Sequence, residues 1–185
     1  IVVAEGQSIG TPLSFGGPTV GWFATKKEYA RLVPGRIIGE SRDSNNNKTY
    51  VMTLRAREQD IRREKASSNI CTNQTLNAIG SAIHLSWLGP EGIYTMGYQA
   101  MQKANYMKNL LTKSNIQVLN KETSIREFLI NVDKNVDEVI DHMGNNGYLA
   151  GIKYSDNQLL IAVTEKRTKK EIDKYVELLN EVLNV

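Results

Sequence analysis

Residues 57–74, REQDIRREKASSNICTNQ, combine two patterns that decide how the rest of the chain is interpreted. The first half carries charges of both signs: Arg57, Glu58, Asp60, Arg62, Arg63, Glu64 and Lys65. The second half carries small hydrogen-bonding side chains: Ser67, Ser68, Asn69, Thr72, Asn73 and Gln74. Because polar residues that lead into a helix leave N–H groups and hydroxyls facing outward, this segment suits an anionic ligand. A helix cap preceded by a solvated, salt-bridged turn explains the same residues without any ligand.

An apolar pattern follows this segment directly: Leu76, Ile79, Ile83 and Trp87. Their spacing is that of one helix face, which predicts a helix over residues 76–88. Residues 88–92, LGPEG, end this helix and begin a second one, because proline is tolerated in a first helical turn. His84 lies within the apolar pattern, and we expect it to be a satisfied core or interface histidine rather than a metal ligand.

Residues 5–21 are rich in glycine and proline, with five glycines and two prolines, and they contain no lysine. This composition forbids regular structure and lets the backbone approach another group closely. No GxGxxG or Walker pattern is present, so a nucleotide loop has little support. A glycine-rich connection that binds nothing is an equally good interpretation.

Short strands and a turn are predicted around this loop. Residues 1–4, IVVA, predict a strand buried on both faces. Thr25 and Glu28 have the spacing of a capping box, which predicts a short helix. Three further stretches have strand patterns, the last two forming a hairpin: residues 20–24, 36–40 and 49–54.

From about residue 115 the pattern becomes that of a small α+β lobe of strands backed by helices. Strands are predicted at residues 117–119, 127–132, 148–154 and 158–163. A short helix is predicted over residues 136–143. Thr168 and Glu171 are predicted to cap a final helix.

Length and composition place the chain among ordinary soluble domains. Its 185 residues fit one domain or two small ones, with 41% hydrophobic and 23% charged residues. A net charge of +3, mixed along the chain, gives no case for nucleic-acid binding. No apolar run reaches membrane-spanning length. Cys71 is the only cysteine, which excludes an intrachain disulfide and predicts a reducing, cytoplasmic setting.

The residues offer no complete active site of their own. One cysteine and two histidines without HExxH or CxxC spacing do not predict a metal site. Ser14, Ser67 and Ser68 lie in no GxSxG pattern. Cys71 is expected to be a buried thiol. The chain begins on a strand pattern without an initiator methionine, so we expect it to be a piece of a longer chain.

Four motifs in the same order resemble the glycine dehydrogenase (decarboxylating) P-protein family, specifically the C-terminal portion of subunit 1 of its two-subunit bacterial form. They are SFGGP at residues 14–18, PGRIIG at 34–39, the segment 57–74, and LGPEG at 88–92. Asp60 departs from the family, which usually has His at that position.

The resemblance implies an α/β fold: the end of a pyridoxal-phosphate-dependent, aspartate-aminotransferase-like large domain over residues 1–113, and a small α+β C-terminal domain over 114–185. It implies decarboxylation of glycine and transfer of the aminomethyl group to the lipoyl arm of H-protein. In the two-subunit form the lysine that carries the cofactor belongs to subunit 2. The chain would therefore work with P-protein subunit 2 and lipoylated H-protein, and alone it would be inactive.

The resemblance also implies which residues contribute to the partner's site. Similar enzymes bind part of the cofactor phosphate through a neighbouring subunit, and the matching positions here are Ser67, Ser68, Asn69 and Thr72. Arg62 and Arg63 would pair with phosphate, with the H-protein surface, or with nearby glutamates in a structural role. Backbone geometry at the subunit interface is the role expected for Gly16, Gly17 and Gly35.

Two alternatives share these residues. In the first, the chain is a purely structural subunit that stabilises the cofactor-bearing one, and the segment 67–72 only caps a helix. In the second, it is a small basic RNA-binding module that uses Arg57, Arg62, Arg63 and Lys65. Balanced charges and the lack of nearby aromatic residues argue against the second alternative.

Overall fold

A computed structural model describes residues 1–67, 70, 73–119, 122 and 124–184. The chain divides into two compact units, Ile1–Trp87 and the residues from Leu88 onward. Each unit has its own sheets and packing. The predicted domains, 1–113 and 114–185, describe the architecture of a longer chain and stay a prediction.

The first unit contains two antiparallel ribbons. Strand β1 (Val2–Glu5) pairs with β2 (Gly21–Ala24), and β3 (Ile37–Arg42) pairs with β4 (Lys48–Thr53). The second ribbon confirms the predicted hairpin. At its turn the Asp43 carboxylate accepts 2.9 Å hydrogen bonds from the amides of Asn45 and Asn47. These bonds, chiefly the one from Asn47, hold the pKa of Asp43 below its usual value.

Two expectations for this unit are wrong. Strand β1 is not buried on both faces, because Val2 and Val3 are 68% and 70% exposed in a ribbon that has a single partner strand. The box at Thr25 and Glu28 does not form either. The short 3-10 turn Lys27–Tyr29 begins one residue later, after an extended Lys26 with φ −66° and ψ 149°, and no side chain caps it.

Four other short helical segments punctuate the first unit: Ser14–Gly16, Arg55–Arg57, α1 (Gln59–Arg62) and Arg63–Lys65. The long helical run α2 (Thr75–Lys113) then begins. It is interrupted at Gly89, where φ is 64° and ψ is 176°, immediately before Pro90. The predicted stop at LGPEG is therefore confirmed. Glycine suits this position because φ > 0 is costly for other residues.

The second unit is built on a four-stranded antiparallel sheet in the order β5-β6-β8-β7. Its strands are β5 (Gln117–Val118), β6 (Glu127–Asn131), β7 (Ile152–Ser155) and β8 (Gln158–Ala162). Helices α3 (Val136–Asn145) and α4 (Lys169–Leu183) join the second half of α2 in covering it. These strands and helices lie where the sequence patterns predicted them, with strand ends differing by a few residues.

The core of the second unit is formed by completely or almost completely buried apolar side chains. They come from α2, the sheet, α3 and α4: among them Met107, Leu111, Phe128, Ile130, Leu159, Ile161, Val139, Met143, Ile172 and Leu179. Alternation along β6 and β8 puts one face of the sheet on this core. Of the helices that the structure describes, none has the length and apolar character needed to cross a bilayer.

Candidate functional site

Arg57 is the centre of a hydrogen-bond cluster in the segment 57–74. Its guanidinium donates to three carbonyls of one loop: those of Arg31 at 3.4 Å, Val33, and Gly35 at 3.2 Å. Its Nε donates to the carbonyl of Leu54 at 3.3 Å. Leu54 adopts a left-handed conformation, with φ 55°, and its carbonyl also accepts from the Arg57 amide. The sequence analysis gave Arg57 a role only in the RNA-binding alternative, so this binding of backbone carbonyls was missed.

The backbone of Arg57 reaches the first of the predicted cofactor residues. Its carbonyl accepts a 3.0 Å hydrogen bond from the amide of Ser67. The Ser67 side chain is exposed, and its hydroxyl makes no hydrogen bond with the part of the chain that the structure describes. Ser68, Asn69 and Thr72 lie outside the described residues, so their predicted roles stay predictions.

Arg62, Arg63, Glu64 and Lys65 line an open cavity of about 380 Å³. All four side chains are exposed. Within the described residues none of the four forms an ion pair, whereas Arg55 and Asp60 pair at 2.5 Å. The structural ion pair expected for Arg62 and Arg63 is therefore not found there. Three cations with one anion leave this cavity net positive, a charge that favours an anionic group.

Glu58 is the buried carboxylate of this region. It is 7% exposed, and its Oε1 has no hydrogen-bond partner among the residues that the structure describes. A buried oxygen without a donor costs free energy, on the order of 1–3 kcal/mol. Buried polar atoms in native proteins normally have a hydrogen-bond partner. We therefore expect Glu58 to bind a donor that the described residues do not supply.

Polar side chains in the first half of α2 form hydrogen bonds with the backbone of the glycine-rich loop. Asn77 Nδ2 donates to the Thr19 carbonyl at 3.2 Å, and Ser81 Oγ donates to the Ile9 carbonyl at 2.7 Å. His84 Nδ1 accepts from the Gly10 amide at 3.0 Å. His84 is therefore a satisfied histidine, as predicted, and this bond fixes the acceptor state of Nδ1.

Two glycines allow the loop and the helix to touch. A Cβ on Gly10, where φ is 71°, would lie 2.3 Å from the carbonyl oxygen of Gly80, and one on Gly80 would lie 3.0 Å from that of Gly10. Both obstacles are backbone atoms. The close approach of α2 to this loop is thus made at Gly80, a residue that the sequence analysis did not single out.

The base of the loop is held by Glu5. Its carboxylate accepts from the amides of Val20 and Gln7, each at 2.9 Å, and the Val20 bond is the main cause of a lowered Glu5 pKa. The Gln7 side chain donates to the Pro18 carbonyl at 3.2 Å. These contacts fix a loop whose interior contains a single short regular element, the 3-10 turn Ser14–Gly16, although its composition predicted none.

The three glycines predicted at a subunit interface have different surroundings. A Cβ on Gly16 or Gly17 would meet nothing within 4 Å, and Gly16 has φ 94°. The neighbouring Phe15 is fully exposed with φ 49°. Gly35 has φ 87°, and its missing Cβ points to Ile70 Cδ1 at 3.7 Å. Space around residues 15–17 leaves room for another chain, so their interface role stays a prediction.

The second unit holds a larger cavity of about 750 Å³, with mostly apolar walls. Tyr148, Leu149, Ile152, Arg167 and Tyr175 are among its lining residues. Tyr175 is buried and donates to the Ala150 carbonyl, and burial raises the pKa of its phenol. None of the residues predicted as a site lines this cavity. No group of His, Cys, Asp and Glu suited to a metal occurs among the described residues.

A family model for the glycine cleavage system P-protein matches residues 1–179. The chain is 46% identical over 188 aligned residues to the probable glycine dehydrogenase (decarboxylating) subunit 1 of Staphylococcus carnosus (strain TM300), and 44% identical to that of Staphylococcus haemolyticus (strain JCSC1435). Each alignment covers 98% of this chain and 42% of the relative. The chain therefore spans less than half the length of these curated relatives.

The fold is also similar to that of a solved structure. A crystal structure described as glycine decarboxylase (P-protein) of the glycine cleavage system, in inhibitor-bound form, has a TM-score of 0.89 and 34% identity. The match covers 98% of this chain and 43% of the other. The class of protein is therefore a mixed α/β protein in which the polar segment 57–74 leads into a long helix. The chain belongs to the glycine cleavage system P-protein family.

Proposed function

We propose that this chain is part of subunit 1 of a glycine dehydrogenase (decarboxylating), and that it contributes scaffold and polar groups to a pyridoxal-phosphate site whose lysine belongs to subunit 2. The observation that carries this proposal is the 46% identity to proteins named subunit 1 over 98% of the chain. The absence of lysine from residues 5–21 agrees with it, because the resemblance to the family implies that the cofactor lysine belongs to subunit 2.

The described residues fit a contribution to a phosphate-bearing cofactor. Ser67 offers an exposed hydroxyl that makes no hydrogen bond to the described residues, and Arg62, Arg63 and Lys65 give the neighbouring cavity a positive charge. Ser67, with Ser68, Asn69 and Thr72, would bind the phosphate by hydroxyl and N–H donors. When bound, pyridoxal phosphate supplies an electron sink for the electrons left by carbon dioxide.

The remaining roles are those of an interface. We assign Gly16, Gly17 and Gly35 to the contact with subunit 2, because the backbone at residues 16 and 17 is open to solvent. Arg62 and Arg63 are free of ion pairs within the described residues and would receive either the cofactor phosphate or the surface of lipoylated H-protein. In the assembled enzyme the aminomethyl group left after decarboxylation passes to the lipoyl arm of H-protein.

The first test uses the full-length subunit with subunit 2 and lipoylated H-protein. We expect Ser67→Ala to weaken the affinity of the complex for pyridoxal phosphate about tenfold, the effect of one hydrogen bond to a charged group. Glycine–bicarbonate exchange at subsaturating cofactor should fall in parallel. Ser44→Ala, in the exposed turn between β3 and β4, is the matched control and should behave as wild type.

The second test uses subunit 1 without subunit 2. We expect no visible absorbance band on addition of pyridoxal phosphate and no release of carbon dioxide from glycine. A stable visible band from the isolated subunit would contradict the proposal, because it requires a lysine of this chain in the site.

A purely architectural role is the second candidate. It is favoured by the way Ser67 is held, since its described bond uses the backbone amide and not the hydroxyl. In that case Ser67→Ala would lower the melting temperature of the complex and leave turnover per folded complex unchanged.

A further inference from the structure

The hydrogen bonds of Arg57 connect three segments that are distant in sequence. The side chain holds the loop 31–35, and the Arg57 carbonyl holds the Ser67 amide. We infer that Arg57 is a positioning residue for Ser67, so that its hydrogen bonds set where this cofactor-contributing group lies. This inference rests on the proposed function and adds a residue to it.

The bond between Ser67 and Arg57 closes the base of a loop. Residues 58–66 leave Arg57 through α1 and the turn Arg63–Lys65, and the chain returns when the Ser67 amide reaches the Arg57 carbonyl at 3.0 Å. The cationic cavity of Arg62, Arg63 and Lys65 lies on this excursion. Movement of Arg57 would therefore shift both the cavity and Ser67.

The side chain of Arg57 also holds the loop 31–35, which lies beside Ile70 of the polar segment. The carbonyls that it binds belong to the loop that contains Gly35, whose Cα faces Ile70 with the missing Cβ 3.7 Å from Ile70 Cδ1. Ile70 lies within the polar segment. The loop is thus held by Arg57 on one side and touches the segment on the other.

An arginine is needed for this geometry. The planar guanidinium presents several N–H donors in a fixed arrangement, here directed to the carbonyls of Arg31, Val33 and Gly35 and, through Nε, to that of Leu54. A lysine ammonium is a single point charge on a flexible stem and cannot bind the carbonyls of the loop 31–35 and of Leu54 at the same time. Arg57→Lys therefore removes the geometry and keeps the charge.

The experiment places Arg57→Lys in the full-length subunit combined with subunit 2. Arg36→Lys is the matched control, because Arg36 is exposed, follows the same loop, and makes no hydrogen bond with other described residues. Pyridoxal-phosphate affinity, hydrogen exchange of the amides of residues 31–33, 35 and 67, and melting temperature are measured on each complex. For Arg57→Lys we expect about tenfold weaker cofactor affinity and about tenfold faster exchange at Ser67. Arg36→Lys should stay within twofold of wild type.

Each remaining outcome decides the question. A complex of Arg57→Lys with wild-type affinity, or with a lowered melting temperature alone, would overturn the positioning role. If that variant does not assemble, Arg57→Gln is measured in its place, and failure of both shows that Arg57 serves folding only and overturns the inference. If the wild-type complex binds no pyridoxal phosphate, the proposed function fails, while exchange at Ser67 still reports whether Arg57 holds the segment.

Discussion

At the scale of single residues, His84 shows how a side chain of α2 controls the glycine-rich loop. Its Nδ1 accepts a 3.0 Å hydrogen bond from the Gly10 amide. We expect His84→Leu to destabilise the full-length subunit by about 1 kcal/mol, because an amide next to packed backbone loses its acceptor. Chemical denaturation of the full-length subunit measures the change.

His84→Asn is the control for this prediction. The Asn Oδ1 lies close to the position of the histidine Nδ1 and can accept the same bond. We expect it to retain most of the stability that His84→Leu loses. Equal losses for the two variants would show that the ring packing of His84, and not its acceptor nitrogen, stabilises the loop.

The residues of the site differ in how far the sequence reveals them. A histidine inside an apolar helix pattern predicts a satisfied ring, but nothing in the pattern names Gly10 as its partner. Arg57 is one of four cations in a mixed-charge run, and its binding of the 31–35 carbonyls depends on a loop more than twenty residues away. Such contacts are set by tertiary structure, which local spacing does not encode.

At the scale of elements, two capping-box patterns of identical spacing have opposite outcomes. Thr168 forms the box with Glu171: the Glu171 amide donates to Thr168 Oγ1 at 3.2 Å, and the Thr168 amide donates to Glu171 Oε2 at 2.6 Å. Thr25 and Glu28 do not, and only a 3-10 turn follows. The apolar face of α4 is buried in the core, whereas the turn after Thr25 buries no residue. Packing therefore decides whether a cap pattern becomes a helix.

The box at α4 gives a prediction for acid. The Thr168 amide, followed by its hydroxyl, holds the pKa of Glu171 below the ordinary 4.5. A carboxylate with a lowered folded pKa stabilises the protein above its ordinary pKa, and the effect is lost as pH falls through the folded pKa. We expect Thr168→Ala to cost about 1 kcal/mol at pH 7, the usual value of an N-cap. The loss should shrink below about pH 4.

Thermal unfolding of wild type and Thr168→Ala from pH 7 to pH 3 measures this difference. Ser155→Ala, whose hydroxyl bonds only to Asn157 among the described residues, is the control and should show no comparable dependence on pH. A Thr168→Ala deficit that stays constant over this range would mean that the hydroxyl acts without the Glu171 carboxylate.

The first half of α2 presents its apolar stripe outward. Leu76, Ile79, Ile83 and Trp87 are all at least half exposed, and Trp87 is 87% exposed. The neighbouring face, with Gly80, Ser81 and His84, is the one that packs on the loop. The 3.6-residue period correctly predicted the helix, and the structure shows that its apolar face is exposed.

At the scale of the whole molecule, the two units differ in how much apolar surface they bury. The second unit has a continuous core that joins three helices to a sheet. In the described part of the first unit, Val20 is the single apolar side chain that is buried, with 5% exposure. Regions with few buried apolar contacts open at low free energy, so we expect the first unit to be the less stable one.

Limited trypsin digestion of the 185-residue chain tests this expectation. We expect the first cuts at Arg62, Arg63 and Lys65, all exposed, and then a long-lived C-terminal fragment that contains the second unit. Mass spectrometry of the products over time identifies the cuts. Early cleavage at Lys153 or Arg167, both in the second unit, would show that the core is not the more stable part.

The architecture of the second unit was easier to predict from the sequence than that of the first, because the second unit has a continuous apolar core. Residues 117–183 follow the alternation and helical periods of a lobe whose inner faces are buried together. The first unit has paired ribbons and a glycine-rich loop, and its apolar residues are turned outward. Burial could not be inferred there, because periodicity gives a face but not what covers it.

The meeting of Gly10 and Gly80 has a consequence for how this protein can change over time. At each position the obstacle to a larger side chain is a main-chain oxygen or carbonyl carbon of the other glycine. A second substitution cannot remove a main-chain atom, so no compensating mutation at the opposite position can rescue a change at the first. A deep mutational scan of both codons should return glycine alone at position 10 and nothing larger than alanine at position 80, and double mutants should be no more stable than the worse single mutant.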